Sequence, residues 1–182
     1  AFPALTCLAA TFNPKLSSQF GFSLGEEARY RKKDVLLGPG VNIYRTPLNG
    51  RNFEYMGEDP FLASTMVVPY IKGVQKNGVA ACVKHYALNN QELWRDKVNV
   101  EVSDRALHEI YLPAFKAAVT KANVWALMGA YNKFRGKYAT HHEFLTKKIL
   151  KEDWKYDGVV ISDWSSAHST IASAMFGLDI EM

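Results

Sequence analysis

Short apolar runs alternate with longer amphipathic segments along this chain, and this alternation limits the fold more than any other feature. Apolar runs of strand length occupy residues 34–38, 79–87, 124–131, 158–162 and 178–181. The segments between them carry helix signals: a capping residue before a proline, a capping box formed by Thr140 and Glu143, or apolar residues at helical spacing. The predicted helices cover residues 13–33, 59–76, 103–119, 140–154 and 165–176. Strands that alternate with helices in this way predict a parallel sheet covered by helices.

Polar residues at the strand ends distinguish between two kinds of parallel sheet. Four groups fall at or just beyond the C-terminal end of a predicted strand: Lys84-His85, Tyr131-Asn132, Asp163-Trp164 and Asp179. In an eight-stranded barrel several strands contribute functional groups to that face. An open doubly wound sheet concentrates them near one switch point, and this sequence lacks the Gly-x-Gly-x-x-Gly loop of such dinucleotide-binding sheets. We therefore predict an α/β fold of the (β/α)8 TIM-barrel type.

The composition is that of one globular domain. The chain has 182 residues, of which 48% are hydrophobic, and this is enough for one core and too little for two large ones. We treat residues 1–182 as one domain. The first residue is not Met and the chain ends abruptly on an apolar run, so we expect an excerpt of a longer protein.

Charge, hydropathy and cysteine usage disfavour several kinds of site. The net charge is +4, and the densest basic run, residues 29–33, is predicted to be a solvated helix end rather than a nucleic-acid patch. No stretch approaches the roughly 20 apolar residues that span a bilayer. Cys7 and Cys82 have neither disulfide nor metal spacing, and Cys82 is expected to be buried. Four histidines are predicted to be structural, on helix or loop surfaces: His108, His141, His142 and His168.

Asp163 is the strongest catalytic candidate. It follows a continuous apolar strand and precedes Trp164. A carboxylate held rigidly at a strand end can attack an anomeric carbon and leave again, which divides glycoside hydrolysis into two displacements. The indole beside it offers a sugar ring an apolar face. The alternative is that Asp163 only caps the following helix through Ser165 and Ser166.

Other polar residues are candidates for binding sugar hydroxyls. Lys84 and His85 end one strand and supply hydrogen-bond donors, or they form a buried pair that fixes a neighbouring loop. Arg51 lies in the long loop 41–58, where its guanidinium could grip vicinal hydroxyls or pair with Glu54, Glu58 or Asp59. Two further groups are candidates: Met128 and Tyr131, which end another strand, and the residues that follow the Lys-His strand as a possible rim, Asn89, Asn90, Gln91, Glu92 and Arg95.

Taken together, these segments resemble family 3 glycoside hydrolases along nearly the whole chain. Seven pieces carry the resemblance in order: 36–43; 50–54 with 57–60; 83–86 with 89–92; Arg105 with 109–115; 128–132; 158–164; and 177–182. The resemblance implies that Asp163 is the nucleophile and that Trp164 is the neighbouring aromatic of the sugar site. It places Arg51, Lys84, His85, Met128, Tyr131 and, more weakly, Arg95 around the non-reducing sugar.

The same resemblance implies that parts of the site lie outside this sequence. The family's barrel begins with an upstream strand and a loop whose Asp grips the sugar. Its acid/base Glu usually comes from an α/β sandwich domain that follows the barrel. Neither is present, so we expect an incomplete barrel whose partner is that C-terminal domain, and no carboxylate here is assigned the acid role. The Asp-His-dyad β-N-acetylhexosaminidases continue the Lys-His motif with Pro-Gly-His-Gly, whereas residues 86–90 here read Tyr-Ala-Leu-Asn-Asn.

The predicted function is retaining hydrolysis of terminal non-reducing β-D-glucosyl residues from β-glucosides or cello-oligosaccharides, with a covalent intermediate on Asp163. No cofactor or metal is expected, nor a nucleic-acid or membrane partner. The alternatives are a β-xylosidase or other exo-β-glycosidase of the same family, or a catalytically incomplete sugar-binding barrel. A metal-dependent hydrolase using His85 and Asp163 is disfavoured because further ligands are missing.

Overall fold

The computed structural model describes residues 1–182 and contains six α-helices and seven strands. The helices are α1 (Leu5–Ala9), α2 (Pro14–Tyr30), α3 (Pro60–Gln75), α4 (Asp104–Ala106), α5 (Pro113–Thr120) and α6 (Thr170–Phe176). The strands are β1 (Val35–Leu36), β2 (Ala80–Tyr86), β3 (Asn99–Val100), β4 (Ala126–Gly129), β5 (Lys133–Phe134), β6 (Lys137–Tyr138) and β7 (Val159–Ile161). Two segments are wound as π-helix, Leu107–Tyr111 and Glu143–Asp153, and three are short 3-10 turns, Pro47–Asn49, Asn52–Glu54 and Ala139–His141.

Four parallel strands form the main sheet in the order β1–β2–β4–β7, which is also their order along the chain. After β7 the chain returns once more, and Ile180 makes a parallel bridge to Ile161. Each new strand is therefore added on the same side of the one before. In a doubly wound sheet the side on which new strands are added reverses at a switch point, whereas in a barrel every new strand is added on the same side. The predicted α/β fold with a parallel sheet is confirmed.

The two faces of the sheet bury different sets of side chains. A cluster of 37 residues fills the space between the sheet and the helices, and it includes Val83, Leu127 and Val160. The opposite face carries a separate small cluster of side chains from β2, β4 and β7: Cys82, Ala126, Met128 and Ile161. These residues alternate with the first set because successive side chains of a strand point to opposite faces. The small cluster is the beginning of a barrel interior, and Cys82 is buried as predicted.

Helices α2 and α3 pack against each other at unusually short range. A Cβ atom added to Gly21 would lie 2.1 Å from the carbonyl oxygen of Tyr70, and one added to Gly73 would lie 2.4 Å from that of Ser18. The Ser17 hydroxyl donates a 2.7 Å hydrogen bond to the Met66 carbonyl across the same interface. Glycines on both helices therefore allow the two backbones to touch. No helix of the protein combines the length and the apolar character needed to cross a bilayer.

The predicted capping box at Thr140 and Glu143 is wrong. The following helical segment, Glu143–Asp153, is capped by His142, whose Nδ1 accepts from the Leu145 amide. The Thr140 hydroxyl instead donates to the Ala130 carbonyl at 2.9 Å. The Thr140 hydroxyl therefore makes a tertiary hydrogen bond instead of the predicted cap.

Other element boundaries also differ from the prediction. The helix predicted over residues 103–119 changes to a π-turn at Leu107–Tyr111 and restarts at Pro113, which lacks an N–H and suits a first helical position. The last predicted helix begins only at Thr170. The strand predicted over residues 178–181 makes a single bridge.

Two of the four histidines were wrongly predicted to lie at the surface. His141 and His142 are buried, and the His142 Nε2 lies 3.0 Å from the Phe134 carbonyl oxygen. His108 and His168 are exposed, as predicted. The basic run 29–33 is exposed at the end of α2, also as predicted.

Asp179 does not belong to the functional face. Its carboxylate accepts a 2.7 Å hydrogen bond from the Val160 amide and pairs with Lys151 at 2.9 Å, alongside β7 rather than beyond its end. It therefore anchors the returning chain against the sheet.

Candidate active site

Side chains from three neighbouring strands meet at the C-terminal edge of the sheet. His85 belongs to β2, Tyr131 follows β4, and Asp163 follows β7. The Tyr131 hydroxyl lies 3.1 Å from the Asp163 carboxylate, and the His85 Nε2 lies 3.5 Å from it. Parallel strands in consecutive order bring these distant parts of the sequence together, and the meeting point is the face where barrel enzymes hold their functional groups.

The Asp163 carboxylate is nearly buried and its two oxygens have different surroundings. Only 4% of the residue is exposed. Oδ1 accepts hydrogen bonds from the Tyr131 hydroxyl at 3.1 Å and from the Trp164 backbone N–H at 2.8 Å. Oδ2 accepts no such hydrogen bond, and the nearest basic side-chain atom to it is the His85 Nε2, at 3.5 Å. The carboxylate is thus anchored through one oxygen while the other is left uncommitted.

The alternative role of Asp163 as a helix cap is wrong. Helix α6 begins at Thr170, and the residue that caps it is Ser169, whose hydroxyl oxygen accepts from the Ala172 amide at 3.2 Å. The Asp163 side chain bonds only to its neighbour Trp164 and to Tyr131.

The loop that carries Asp163 is tied to the neighbouring strand. The Ser166 amide donates to the Asp163 carbonyl at 3.0 Å, and its buried hydroxyl lies 2.9 Å from the Thr140 hydroxyl. Thr140 in turn donates to the Ala130 carbonyl just after β4. This chain of contacts holds the loop after β7 against the end of β4.

Glu54 joins Arg51 to Lys84. Its Oε2 accepts from the Arg51 Nε at 2.8 Å, and its Oε1 lies 2.9 Å from the Arg51 Nη2 and 2.7 Å from the Lys84 Nζ. Burial would raise the pKa of Glu54, but the hydrogen bonds and positive charges of Arg51 and Lys84 outweigh burial and lower that pKa to about 2. Glu54 is therefore an ionised bridge between two cations.

Arg51 pairs with Glu54, which is one of its two predicted roles. It fixes the long loop by pairing with Glu54, and its Nη2 also reaches to 3.2 Å from the His85 Nε2. Burial alone would lower the pKa of Arg51, but the hydrogen bond to Glu54 and nearby negative charges raise it. Arg51 is thus a fixed positive charge against His85, which in turn contacts Asp163.

His85 is 1% exposed and is held on all sides. Its backbone N–H donates to the Asn42 side chain at 2.8 Å, and the Asn42 amide donates back to the His85 carbonyl at 2.9 Å. The Nδ1 lies 3.2 Å from the Tyr55 hydroxyl. Burial, and then the positive charges of Arg51 and Lys84, hold the pKa of His85 well below its usual range. The ring is therefore neutral at neutral pH.

Arg95 joins the predicted rim to Tyr131. Its Nη1 pairs with the Glu92 Oε2 at 2.7 Å, and its guanidinium lies 4.1 Å from the centre of the Tyr131 ring. Glu92 also lies 3.6 Å from the Arg51 Nη1, so it connects the two arginines. Burial, followed by the Asp163 charge, raises the pKa of Tyr131, which therefore stays protonated and able to donate.

Met128 and Trp164 lie at opposite depths of the site. Met128 is 1% exposed and packs with Cys82, Ala126 and Ile161 inside the barrel, so it forms a floor. Trp164 is 56% exposed and stands beside Asp163 at the rim.

Sequence reasoning missed three residues of the site. Glu54 was considered only as a partner of Arg51, and its second bond to Lys84 crosses 30 positions that no local pattern connects. Asn42 and Tyr55 both bond to His85 from the long loop. Asn42 lies beyond the end of β1, so a search of every strand end would have found it. Tyr55 carries no comparable signal.

The site as a whole suits a neutral ligand rich in hydroxyls. It gathers the Asp163 carboxylate, the cations Arg51, Lys84 and Arg95, and a neutral imidazole, and these supply many donors and few hydrophobic surfaces. No three His, Cys, Asp or Glu side chains are arranged so that they could hold a metal ion.

Comparisons with known proteins agree with this chemistry. The sequence profile described as "Glycosyl hydrolase family 3 N terminal domain" matches residues 1–178. The chain is 72% identical over its whole length to the β-glucosidase BoGH3A of Bacteroides ovatus, of which it covers 24%. It is 46% identical to the thermostable β-glucosidase B of Acetivibrio thermocellus, with the same 24% coverage. The chain thus spans about a quarter of the length of these relatives.

Solved structures of β-glucosidases also superimpose closely on this chain. β-Glucosidase 3B from Thermotoga neapolitana in complex with glucose superimposes with a TM-score of 0.98 at 48% identity, over 100% of this chain and 26% of the other. A β-glucosidase from Bifidobacterium adolescentis gives a TM-score of 0.97 at 44% identity, over 100% of this chain and 27% of the other.

Proposed function

Since the chain belongs to glycosyl hydrolase family 3, we propose that the protein hydrolyses terminal non-reducing β-D-glucosyl residues with retention, and that Asp163 is the nucleophile. One observation carries this proposal. A nearly buried carboxylate at a strand end is anchored through Oδ1 by two donors while Oδ2 is free of strong donors. An oxygen in that state is oriented and has no strong hydrogen bond to break, as attack on an anomeric carbon requires.

The proposed reaction has two displacements. Asp163 Oδ2 bonds to the anomeric carbon through an oxocarbenium-like transition state while a carboxylic acid protonates the departing glycosidic oxygen. The same group, now a carboxylate, takes a proton from water while the water oxygen bonds to the anomeric carbon, and the bond from that carbon to Asp163 breaks, which releases the sugar and the free carboxylate. The two carboxyl groups would be about 5–5.5 Å apart, as retention requires.

The surrounding residues have separate proposed roles. Arg51, Lys84 and Arg95 would donate to sugar hydroxyls, since their mutual pairing through Glu54 and Glu92 holds them rigidly. Nε2 of His85 faces the same space. Of the remaining predicted residues, Tyr131 would orient Asp163, Met128 would form the floor, and Trp164 would stack on the sugar.

We place the acid/base group outside these 182 residues. Glu54 has a pKa of about 2, so it is ionised at neutral pH and cannot donate a proton. Both oxygens of Glu92 face donors, namely Arg51, Arg95 and Asn89. We propose that residues 1–182 form part of a barrel domain and that a following α/β sandwich domain supplies the acid/base Glu. The relatives, which are about four times longer than this chain, leave room for such a domain.

Glucose is the proposed sugar because the relative that is 72% identical to this chain is named a β-glucosidase. A relative from Bifidobacterium longum that is 44% identical is named an exo-α-(1→6)-L-arabinopyranosidase. Comparing initial rates on the nitrophenyl β-glucoside, β-xyloside and α-L-arabinopyranoside tests the sugar separately from the mechanism. A clear preference for the glucoside is expected, and a preference for either other sugar would replace it.

Covalent trapping tests the nucleophile. The whole protein is treated with 2,4-dinitrophenyl 2-deoxy-2-fluoro-β-glucoside, and the modified peptide is mapped by mass spectrometry. A fluoroglucosyl adduct is expected on Asp163, since the activated leaving group needs little acid assistance. Asp163→Asn should abolish labelling, whereas the matched Asp179→Asn variant should still be labelled, because Asp179 is outside the site. An adduct elsewhere would refute the assignment, and sugar binding without any adduct would favour a non-catalytic sugar-binding barrel.

A further inference from the structure

His85 is neutral and buried, so it carries one ring proton whose position decides what each nitrogen can do. A proton on Nε2 lets that atom donate to Asp163 or to a substrate hydroxyl. A proton on Nδ1 leaves Nε2 able only to accept. The Nε2 lies 3.5 Å from the Asp163 Oδ2 and 3.2 Å from the Arg51 Nη2. Asp163 favours a proton on Nε2, because its carboxylate can accept, whereas Arg51 favours a bare Nε2, because its guanidinium can only donate. The partner of the other ring nitrogen, Nδ1, therefore decides which tautomer is present.

The Nδ1 faces a single partner, the Tyr55 hydroxyl at 3.2 Å. Tyr55 is fully buried, and its hydroxyl has one further neighbour, the Asn89 Nδ2 at 3.5 Å. The same Asn89 nitrogen lies 3.2 Å from the Glu92 Oε1. The Glu92 carboxylate is paired with Arg95 and accepts there, so the Asn89 atom that faces it must be the NH₂ group. Asn89 therefore donates to Tyr55 as well as to Glu92.

The direction of these bonds fixes the proton of His85. Since Asn89 donates to the Tyr55 oxygen, the Tyr55 hydrogen needs an acceptor, and the His85 Nδ1 is the one within reach. Leaving that hydroxyl hydrogen unpaired in the interior would be costly, whereas the Arg51 Nη2 already donates to Glu54 and its side chain is 19% exposed to water. The hydrogen bond from Tyr55 to Nδ1 is therefore favoured over a hydrogen bond from Arg51 to Nε2.

We propose that Tyr55 is a positioning residue that holds His85 in the tautomer with its proton on Nε2, directed at Oδ2 of Asp163. The chain of donors then runs in one direction: Asn89 to Tyr55, Tyr55 to His85, and His85 to Asp163. The Nε2–H keeps Oδ2 oriented through a long and weak contact, and it is available to a sugar hydroxyl. The consequence for catalysis rests on the proposed function, but the tautomer itself does not.

The tautomer is tested first in the unmodified protein. Histidine is labelled with ¹⁵N in the whole protein, and the His85 ring signals are assigned by their loss in His85→Asn. One-bond proton coupling is expected at Nε2, with an unprotonated signal at Nδ1. A proton on Nδ1 would overturn the proposal, whatever the outcome of covalent labelling of Asp163. Conversely, the expected tautomer without labelling would preserve the positioning inference and refute the proposed function.

Tyr55→Phe then tests whether Tyr55 sets this arrangement. The variant removes only the hydroxyl, and the His85 proton is expected to shift toward Nδ1, where Nε2 can accept from Arg51. We expect kcat/KM on the nitrophenyl glucoside to fall about ten- to a hundredfold, the size typical of losing a group that orients a functional histidine. The fall should be mainly in kcat, since Arg51, Lys84 and Arg95 keep their pairing with Glu54 and Glu92. Unchanged ring signals together with unchanged kinetics would overturn the proposal.

Two further variants keep the test decisive. Tyr70→Phe also removes a buried tyrosine hydroxyl, but on α3 away from His85, and it should leave both the ring signals and the kinetics unchanged. If Tyr55→Phe does not fold, Asn89→Ser replaces it. Loss of the Asn89 donor frees the Tyr55 oxygen, and the two tautomers of His85 should then both be populated. A single unchanged Nε2–H tautomer in Asn89→Ser would contradict the inferred chain of donors.

Discussion

At the scale of single residues, Glu54 determines the charge balance of the site. It is one carboxylate between Arg51 and Lys84, and the three side chains are mostly buried. Removal of its charge leaves two cations without their partner in a partly desolvated place, which is more costly than loss of an exposed ion pair. Glu54 was nevertheless not a predicted site residue, because its role depends on Lys84 from another strand.

Glu54→Gln is expected to lower the free energy of unfolding by about 3 kcal/mol, because a charge pairing with two buried cations is lost. Urea denaturation followed by circular dichroism measures this change. The matched control is Glu27→Gln, which removes an exposed partner of Arg31 and should cost less than about 1 kcal/mol. Equal effects of the two substitutions would show that Glu54 is not the bridge described above.

The same carboxylate predicts a pH dependence. The pKa of Glu54 is about 2 in the folded protein and 4.5 without the fold, so the folded protein binds the proton less readily than the unfolded chain. The stabilisation by ionised Glu54 is therefore fully present above pH 4.5 and is lost as the pH falls from 4.5 toward 2. The difference in unfolding free energy between the wild type and Glu54→Gln should shrink across this window. A difference that stays constant down to pH 2 would contradict the lowered pKa.

At the scale of elements, the contact between α2 and α3 sets how the first helices cover the sheet. Glycines at the crossing leave no room for a side chain, and neither helix shows this in its own hydrophobic pattern. Loops likewise depend on their neighbours. Thr140 was predicted to cap a helix, yet its hydroxyl bonds to the Ala130 carbonyl and lies 2.9 Å from the Ser166 hydroxyl. These contacts hold the loop that carries Asp163 in place.

Gly21→Ala should destabilise the protein by about 1–3 kcal/mol, the usual cost of overpacking, because the new Cβ would lie 2.1 Å from the Tyr70 carbonyl oxygen. Thermal unfolding measures the loss as a lower Tm. Glu26→Ala is the control on the exposed side of the same helix and should change stability by less than about 0.5 kcal/mol. A neutral Gly21→Ala would mean that the two helices can separate without cost.

At the scale of the whole molecule, the consecutive order of the four parallel strands creates the site. His85, Tyr131 and Asp163 are separated by dozens of positions, and each is placed by its own strand. A doubly wound order would keep these residues at the same end of the sheet but would not add their strands one after another on the same side. No three metal-ligating side chains are grouped at this edge, where Glu54 and Glu92 pair with arginines.

Prolonged treatment with EDTA is therefore expected to leave the rate of glucoside hydrolysis unchanged. The physical reason is that His85 and Asp163 have no third metal-ligating side chain arranged with them. Rates before and after chelation, and after addition of Zn²⁺ or Mg²⁺, give the measurement. Loss of activity on chelation with recovery on one metal would revive the metal-dependent mechanism.

The sequence by itself determined the class of fold, the approximate positions of the strands and long helices, and the polar residues at the strand ends. These follow from periodicity and from local capping, which act over a few residues. Family membership followed from seven ordered motifs and is confirmed. Asp163, His85 and Tyr131 were each found in this way, because each lies at or just beyond the end of its own apolar run.

Only the tertiary structure decided which side chains meet. The Glu54 bridge, the contact of Tyr55 with His85, and the burial of His141 and His142 all depend on residues far apart in sequence. A hydrogen bond requires its two atoms to lie within about 3 Å, and local pattern does not carry that information. Distances between strands are set by packing of the whole sheet, so the direction of a donor chain is known only when its members are in place.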